Sequence, residues 1–178
     1  MTLRPAGAGE APVLTALAGG RAMLFLKNLL FTLVVPGTVA VLLLSWVLRK
    51  GGEGWPARWG APQLLALLPL AAGLAILLRC IWEFGRRGRG TPAPIDPPKE
   101  LVVSGLYRYV RNPMYLGVLL ILLGEALFFA SRRLLVYAAV WWLTVHLFVL
   151  VYEEPTLARN FGDSYDRYRR AVRRWVPG

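Results

Sequence analysis

The sequence predicts an all-α fold: a polytopic integral membrane bundle of about four transmembrane helices, closed by a C-terminal cytosolic amphipathic helix. Three observations predict it. The chain is 56% hydrophobic over 178 residues, with a mean hydropathy of +0.48, an apolar excess beyond what one soluble core of that size holds. The apolar residues gather in four stretches, at 24–48, 62–84, 113–130 and 133–152, each near the ~20 residues that cross a bilayer at about 1.5 Å per residue. The basic residues then alternate sides: Arg49, Lys50, Arg58, Arg132 and Arg133 fall on one side, and the rest of the 21 Lys and Arg fall in 1–27, 79–111 and 159–174. By the positive-inside rule both termini are cytoplasmic, as in a bacterial inner membrane protein.

A net charge of +11 distributed in this way marks topology and contact with anionic membrane lipids; it does not point to nucleic acid. Cys80 is the only cysteine, so no internal disulfide is possible, and its place inside the second span predicts a buried, inert thiol. His146 is the only histidine, and without a His or Cys cluster no metal site is expected. Residues 1–178 are one membrane domain: an arm at 1–22 without the apolar run of a signal peptide, the first two spans at 24–84, and a second half from 99.

Pro36 and Gly37 predict a kink in the first span, and the stretch around Trp55, Pro56 and Trp59 reads as a short outer loop with aromatic interface anchors. The second span ends at Arg79, Trp82 and Glu83, and a turn-rich basic connection runs from Gly85 to Pro98. Gly88-Arg89-Gly90 has no preceding strand, which makes it a turn and not a nucleotide signature. The third span opens with helix punctuation, Asn112 as N-cap and Pro113 at the first helical position. Such a start presents unpaired N–H groups and the positive end of the helix dipole, suited to a carboxylate, and Arg111 adds a bidentate donor. Glu125 lies further along and reads as a residue near the outer interface, although an ionisable group inside a span is by default a functional candidate. In the fourth span His146 and Glu153, seven residues apart, fall near one helical face. Leu157, Phe161, Tyr165, Tyr168, Val172 and Trp175 then recur at helical spacing with arginines between them, a basic amphipathic segment broken at Gly162 that lies over the span ends as a lid. Gly37, Gly73 and Gly117 suit close helix packing within or between protomers, which leaves the oligomeric state open.

Two polar clusters thus face each other across one helix hairpin. The first is Gly105-x-Tyr107 leading into Arg111-Asn112-Pro113-Met114-Tyr115-x-Gly117, and the second is Tyr152-Glu153-Glu154. With Phe161-Gly162-x-x-Tyr165-x-x-Tyr168 and Val172 in the same order, residues 99–177 resemble the catalytic half of the isoprenylcysteine carboxyl methyltransferase and phospholipid methyltransferase superfamily. The resemblance implies an integral membrane enzyme that transfers a methyl group from S-adenosylmethionine (SAM) to a lipophilic small molecule or lipid. The cofactor site it implies comprises Lys99, Glu100, Leu101, Val102, Tyr107, Asn112, Pro113, Met114, Tyr115, Glu153 and Glu154, to which the bidentate donor Arg111 is added from the reading of the helix start. His146, Glu153 and Glu125 are the candidate bases for an acceptor that must lose a proton, His146 because its intrinsic pKa lies nearest neutrality. Two departures narrow the acceptor. Asn112 stands where the carboxyl methyltransferases have His, and Val149 where they place a substrate-binding Arg, so methyl transfer is implied but an isoprenylcysteine carboxylate is not. A non-catalytic membrane scaffold and an NADPH-dependent sterol reductase-like enzyme are the competing readings.

Overall fold

The computed structural model describes Lys50, Pro56, residues 59–87, Leu101 and residues 103–177. The arm at 1–22, the span at 24–48, most of the loop after it, and Lys99, Glu100 and Val102 lie outside the described residues. Within them every regular element is helical. The order is α1 (Ala61–Arg87), a short 3₁₀ turn (Gly105–Arg108), α2 (Pro113–Phe128), α3 (Arg132–Phe148), a π-helical turn (Val149–Glu153), α4 (Glu154–Phe161) and α5 (Asp163–Ala171).

Two helical runs are long and apolar enough to cross a membrane, Ala61–Glu83 and the continuous stretch Arg132–Phe161. Pro113–Phe128 is apolar but only 16 residues long, about 24 Å at 1.5 Å per residue and less than the usual hydrocarbon thickness. Leu64, Leu68, Leu74 and Leu78 of α1 and Leu135, Val136, Val140 and Leu143 of α3 are exposed, the outward apolar surface expected where lipid replaces water as solvent. α1 also runs on through Gly85 to Arg87, beyond the turn expected to begin at Gly85. A glycine in the last turn of a long helix costs only about 1 kcal/mol relative to alanine, too little to end it.

α1 and α2 pack antiparallel. At one end the Gln63 amide donates to the carbonyl of Phe128 at 3.1 Å, and Trp59 meets the Phe128 ring edge-on with centroids 5.4 Å apart. At the other end Glu83 lies against the Ser104–Gly105 turn. Between them the backbones touch: a Cβ on Gly73 would lie 2.5 Å from the carbonyl oxygen of Gly117, and one on Gly124 would lie 2.7 Å from Leu70. Gly73 and Gly117 therefore serve a seam inside one protomer, where absent side chains let two helices approach. Leu77, Cys80, Met114, Val118, Leu122 and Ala138 form the core beside it, with the Cys80 thiol fully enclosed. α3 returns after a three-residue turn in which Ala130 takes a left-handed φ of 48°, and the Ser131 hydroxyl caps the new helix by accepting from the Leu134 amide at 3.3 Å.

The run Arg132–Phe161 is not one regular helix. The Glu154 amide donates to the carbonyl of Val149, five residues back, and Pro155 follows directly. Proline has no N–H to return to Val151 and its ring crowds that carbonyl, so the ladder slips by one residue instead of breaking. The slip turns Glu153 away from the His146 face by up to about 100°. These two residues accordingly face different neighbours, which helical spacing alone did not foresee.

Candidate functional site

The mouth of the bundle is where α1 ends, α2 begins and α3 gives way to the π turn. It is organised from the Gly105–Arg108 turn upward. Gly105 has φ of 58°, and a Cβ there would lie 2.6 Å from the Glu83 carboxyl carbon, so both the backbone conformation and the space require glycine. Glu83 is buried, accepts from the Ser104 hydroxyl at 3.2 Å and pairs with Arg79 at 3.0 Å. Replacing Gly105 by Ala should cost about 1–2 kcal/mol and lower the thermal midpoint in detergent. Gly162→Ala is the matched control: its φ is 49° but nothing lies within 4 Å of the added methyl, so its loss should be the smaller.

Tyr107 turns its ring into the core, where the phenol hydrogen-bonds the Cys80 thiol, and burial pushes that phenol well above its ordinary range. Its carbonyl accepts from the Tyr168 hydroxyl at 2.7 Å. Asn112 is buried and its side chain makes no cap. This corrects the expected N-cap hydrogen bond: its φ and ψ of −126° and 56° lie outside the usual extended cap geometry, and the amide instead donates to the carbonyl of Arg174 at 3.4 Å. Pro113 does occupy the first position of α2; it and Met114 are buried. Tyr115, in the first turn of α2, donates its phenol to the Glu153 carboxylate at 2.9 Å, which joins the start of α2 to the π turn that follows α3.

Arg111 and Glu154 form the second junction. Arg111 Nη1 lies 3.1 Å from Glu154 Oε1 and donates to the Tyr165 hydroxyl at 3.2 Å. Its Nε is buried and has no acceptor. Arg174 grips the same carboxylate with two parallel bonds, Nε to Oε1 at 2.6 Å and Nη2 to Oε2 at 2.8 Å, and hydrogen bonding to Glu154 holds this guanidinium above the usual arginine range. The tail after α5 is tied down further, since the Arg111 amide donates to the carbonyl of Arg173 at 2.9 Å and the Trp175 indole N–H to His146 Nδ1 at 3.0 Å. The break at Gly162 separates α4 from α5, and Tyr165 and Val172 of the amphipathic stripe are buried beneath the arginines. Arg174 is the contributor that sequence reading missed: beside Arg173 and Trp175 nothing in its local pattern distinguishes it from a headgroup-facing arginine.

Hence Arg111, Asn112, Tyr115, Glu153 and Glu154 converge at one mouth, with His146 packed beside it between Trp142 and Trp175. Leu101 borders a separate open depression of about 520 Å³ with Val103, Ser164, Arg167 and Tyr168. Glu125 lies about 18 Å along α2 from Pro113. It lies in the last turn of α2, and its side chain is buried with Oε2 lacking a hydrogen-bond partner. Among the described residues no His, Cys, Asp and Glu cluster suited to a metal ion occurs.

Comparison with known proteins meets this geometry. Residues 62–164 match the family model for phospholipid methyltransferases, a match that contains both polar clusters. A 78-residue stretch is 35% identical to the protein-S-isoprenylcysteine O-methyltransferase of Schizosaccharomyces pombe, covering 43% of this chain and 33% of that one. An 81-residue stretch is 36% identical to methanethiol S-methyltransferase 1 of Bradyrhizobium diazoefficiens, covering 45% of this chain and 27% of that one. An uncharacterised protein of Haemophilus influenzae is 38% identical over 63 residues, which are 35% of this chain and the whole of that protein. The matched region thus spans about a third or less of each of the two named enzymes. With the family model covering more than half of the sequence, the chain belongs to the phospholipid methyltransferase family, a family of membrane methyltransferases.

Proposed function

We propose that the protein transfers a methyl group from S-adenosylmethionine to a lipophilic acceptor arriving from the bilayer, at a mouth that faces the cytosol. The observation that carries this reading is that the start of α2 meets the end of the Arg132–Phe161 run, through Tyr115 on Glu153 and Arg111 on Glu154. Both termini are then cytoplasmic, and the membrane is a bacterial inner membrane.

The residues present fit the cofactor. A buried guanidinium N–H without an acceptor, Arg111 Nε, suits a carboxylate and is costly if left unpaired. The amides of Met114 and Tyr115, in the first turn of α2, have no intrahelical acceptor and extend the same anion-binding face. Glu153 can accept from ribose hydroxyls or an amine, and the Tyr115 ring beside it can stabilise a cation. Asn112 and Pro113 lie at the same mouth, and the resemblance adds Lys99, Glu100, Leu101 and Val102 to the cofactor site.

S-adenosylmethionine supplies a methyl group already activated on a sulfonium, so no covalent enzyme intermediate is required. The chain's contribution is to hold donor and acceptor in line and keep water out. For acceptors that must lose a proton, Glu153 is the base best placed at the mouth. His146 accepts at Nδ1 from Trp175, which places its own proton on Nε2, and protonating Nδ1 would break the indole bond. An unchanged turnover in His146→Ala would exclude it as base.

Titration calorimetry on purified protein tests the reading. S-adenosylmethionine and its demethylated product should both bind, and NADPH should not. Binding of NADPH alone would favour a reductase, and binding of none would favour a scaffold.

A further inference from the structure

Glu154 is half-buried against two arginines, more cation than one carboxylate needs. Arg174 holds it with two bonds of 2.6 and 2.8 Å and Arg111 with a third contact at 3.1 Å. Both guanidinium partners come from segments that the mouth depends on: Arg111 immediately precedes α2, and Arg174 lies in the tail. The same two segments are joined by backbone as well, through Arg111 N–H to Arg173 carbonyl at 2.9 Å and Asn112 side chain to Arg174 carbonyl at 3.4 Å. With Trp175 on His146, residues 173–175 form a strap across the start of α2 and the end of the fourth span.

We propose that Glu154 is a positioning residue that acts through Arg111 and Arg174 and does not itself touch the cofactor. Its carboxylate latches the strap and fixes the Arg111 head, leaving the buried Nε as the donor presented to an anionic ligand group. Glu153 and Glu154, adjacent in sequence, therefore divide the work: the first faces the reaction space with Tyr115, the second is spent on the strap. The proposal rests on the methyltransferase reading for its ligand, but not for the latch.

The test uses the full chain in detergent and two readouts. The first is the rate of tryptic cleavage after Arg173 in ligand-free protein, followed by intact mass. The second is calorimetric affinity for S-adenosylmethionine and its demethylated product. Glu154→Gln should speed cleavage by about tenfold or more, since a charge-assisted bidentate pair is lost. Arg174→Gln, a change in the tail that leaves the bundle packing untouched, should speed cleavage comparably and weaken both ligands. The double variant should be no worse than Glu154→Gln alone, because the two changes remove one interaction. The proposal is overturned if Glu154→Gln weakens the ligands while the tail stays protected, since Glu154 then contacts the ligand directly, or if Arg174→Gln leaves affinity unchanged, since the strap then does not position the site. If the unmodified protein binds neither ligand, the methyltransferase reading falls, and the cleavage rates alone still decide whether the latch exists.

Discussion

Glu153→Gln should lower methyl transfer by about 100-fold, the scale on which a single preorganised polar group at a reacting centre contributes. The carboxylate is held by the Tyr115 phenol at 2.9 Å, and no ion pair shorter than 4 Å joins it to an arginine among the described residues. Its charge is therefore free to act on a ligand amine or hydroxyl, whereas Glu154 beside it is neutralised by two cations. The amide in Glu153→Gln keeps the size and can still accept from Tyr115, so folding should change little. Tyr115→Phe should lose about tenfold, having removed the group that orients the carboxylate and not the carboxylate itself. Turnover of labelled S-adenosylmethionine with an extract of host lipids, alongside thermal midpoints, separates the two effects. Full activity in Glu153→Gln would remove this residue from the site.

The largest expected loss of stability is at Gly73. A methyl group there would approach the Gly117 carbonyl oxygen to 2.5 Å and the Ile121 amide nitrogen to 3.0 Å, and backbone atoms cannot swing aside as a side chain can. Gly73→Ala must separate α1 from α2 and should cost about 3 kcal/mol, the upper range for overpacking, which for a chain of this size lowers the thermal midpoint by about 6–12 °C. Gly60→Ala is the control, since the nearest atoms to its added methyl lie at 3.5 and 3.6 Å, ordinary contact distances. Activity should fall with stability at Gly73, because Cys80 and Met114, which support the Tyr107 ring, are carried on the same two helices.

Much of this arrangement was legible before any coordinates. Four apolar runs and the asymmetry of arginines led to a helical membrane protein, and every regular element of the described part is helical, with two runs long enough to cross. Pro113 marked the start of α2, and Gly162 marked the break in the amphipathic tail, because both act through their own backbone geometry. The meeting of the two polar clusters followed from hairpin topology. What stayed hidden depended on partners distant in sequence. Asn112 has the composition of a cap, yet the strap 62 residues away takes its amide. Glu125 sits close to Ser131 and Arg132 in sequence and lies in the last turn of α2, but that helix packing buries its side chain was not readable from that spacing. Arg174 could be singled out only once the fold brought Glu154 to it.

Pro155 is no partner in the bonds of Tyr115 or Arg111, yet it sets the angular phase of the chain that follows the π turn. Replaced by a residue with an N–H, it would permit an unbroken α-helical ladder, and the loss of one residue of slip would wind the downstream chain by up to about 100°. The acidic pair would then point to new bearings, and the arm that carries the strap would be re-aimed with them. A single imino acid outside the mouth thus acts as the phasing mark by which two neighbouring carboxylates find two different destinations.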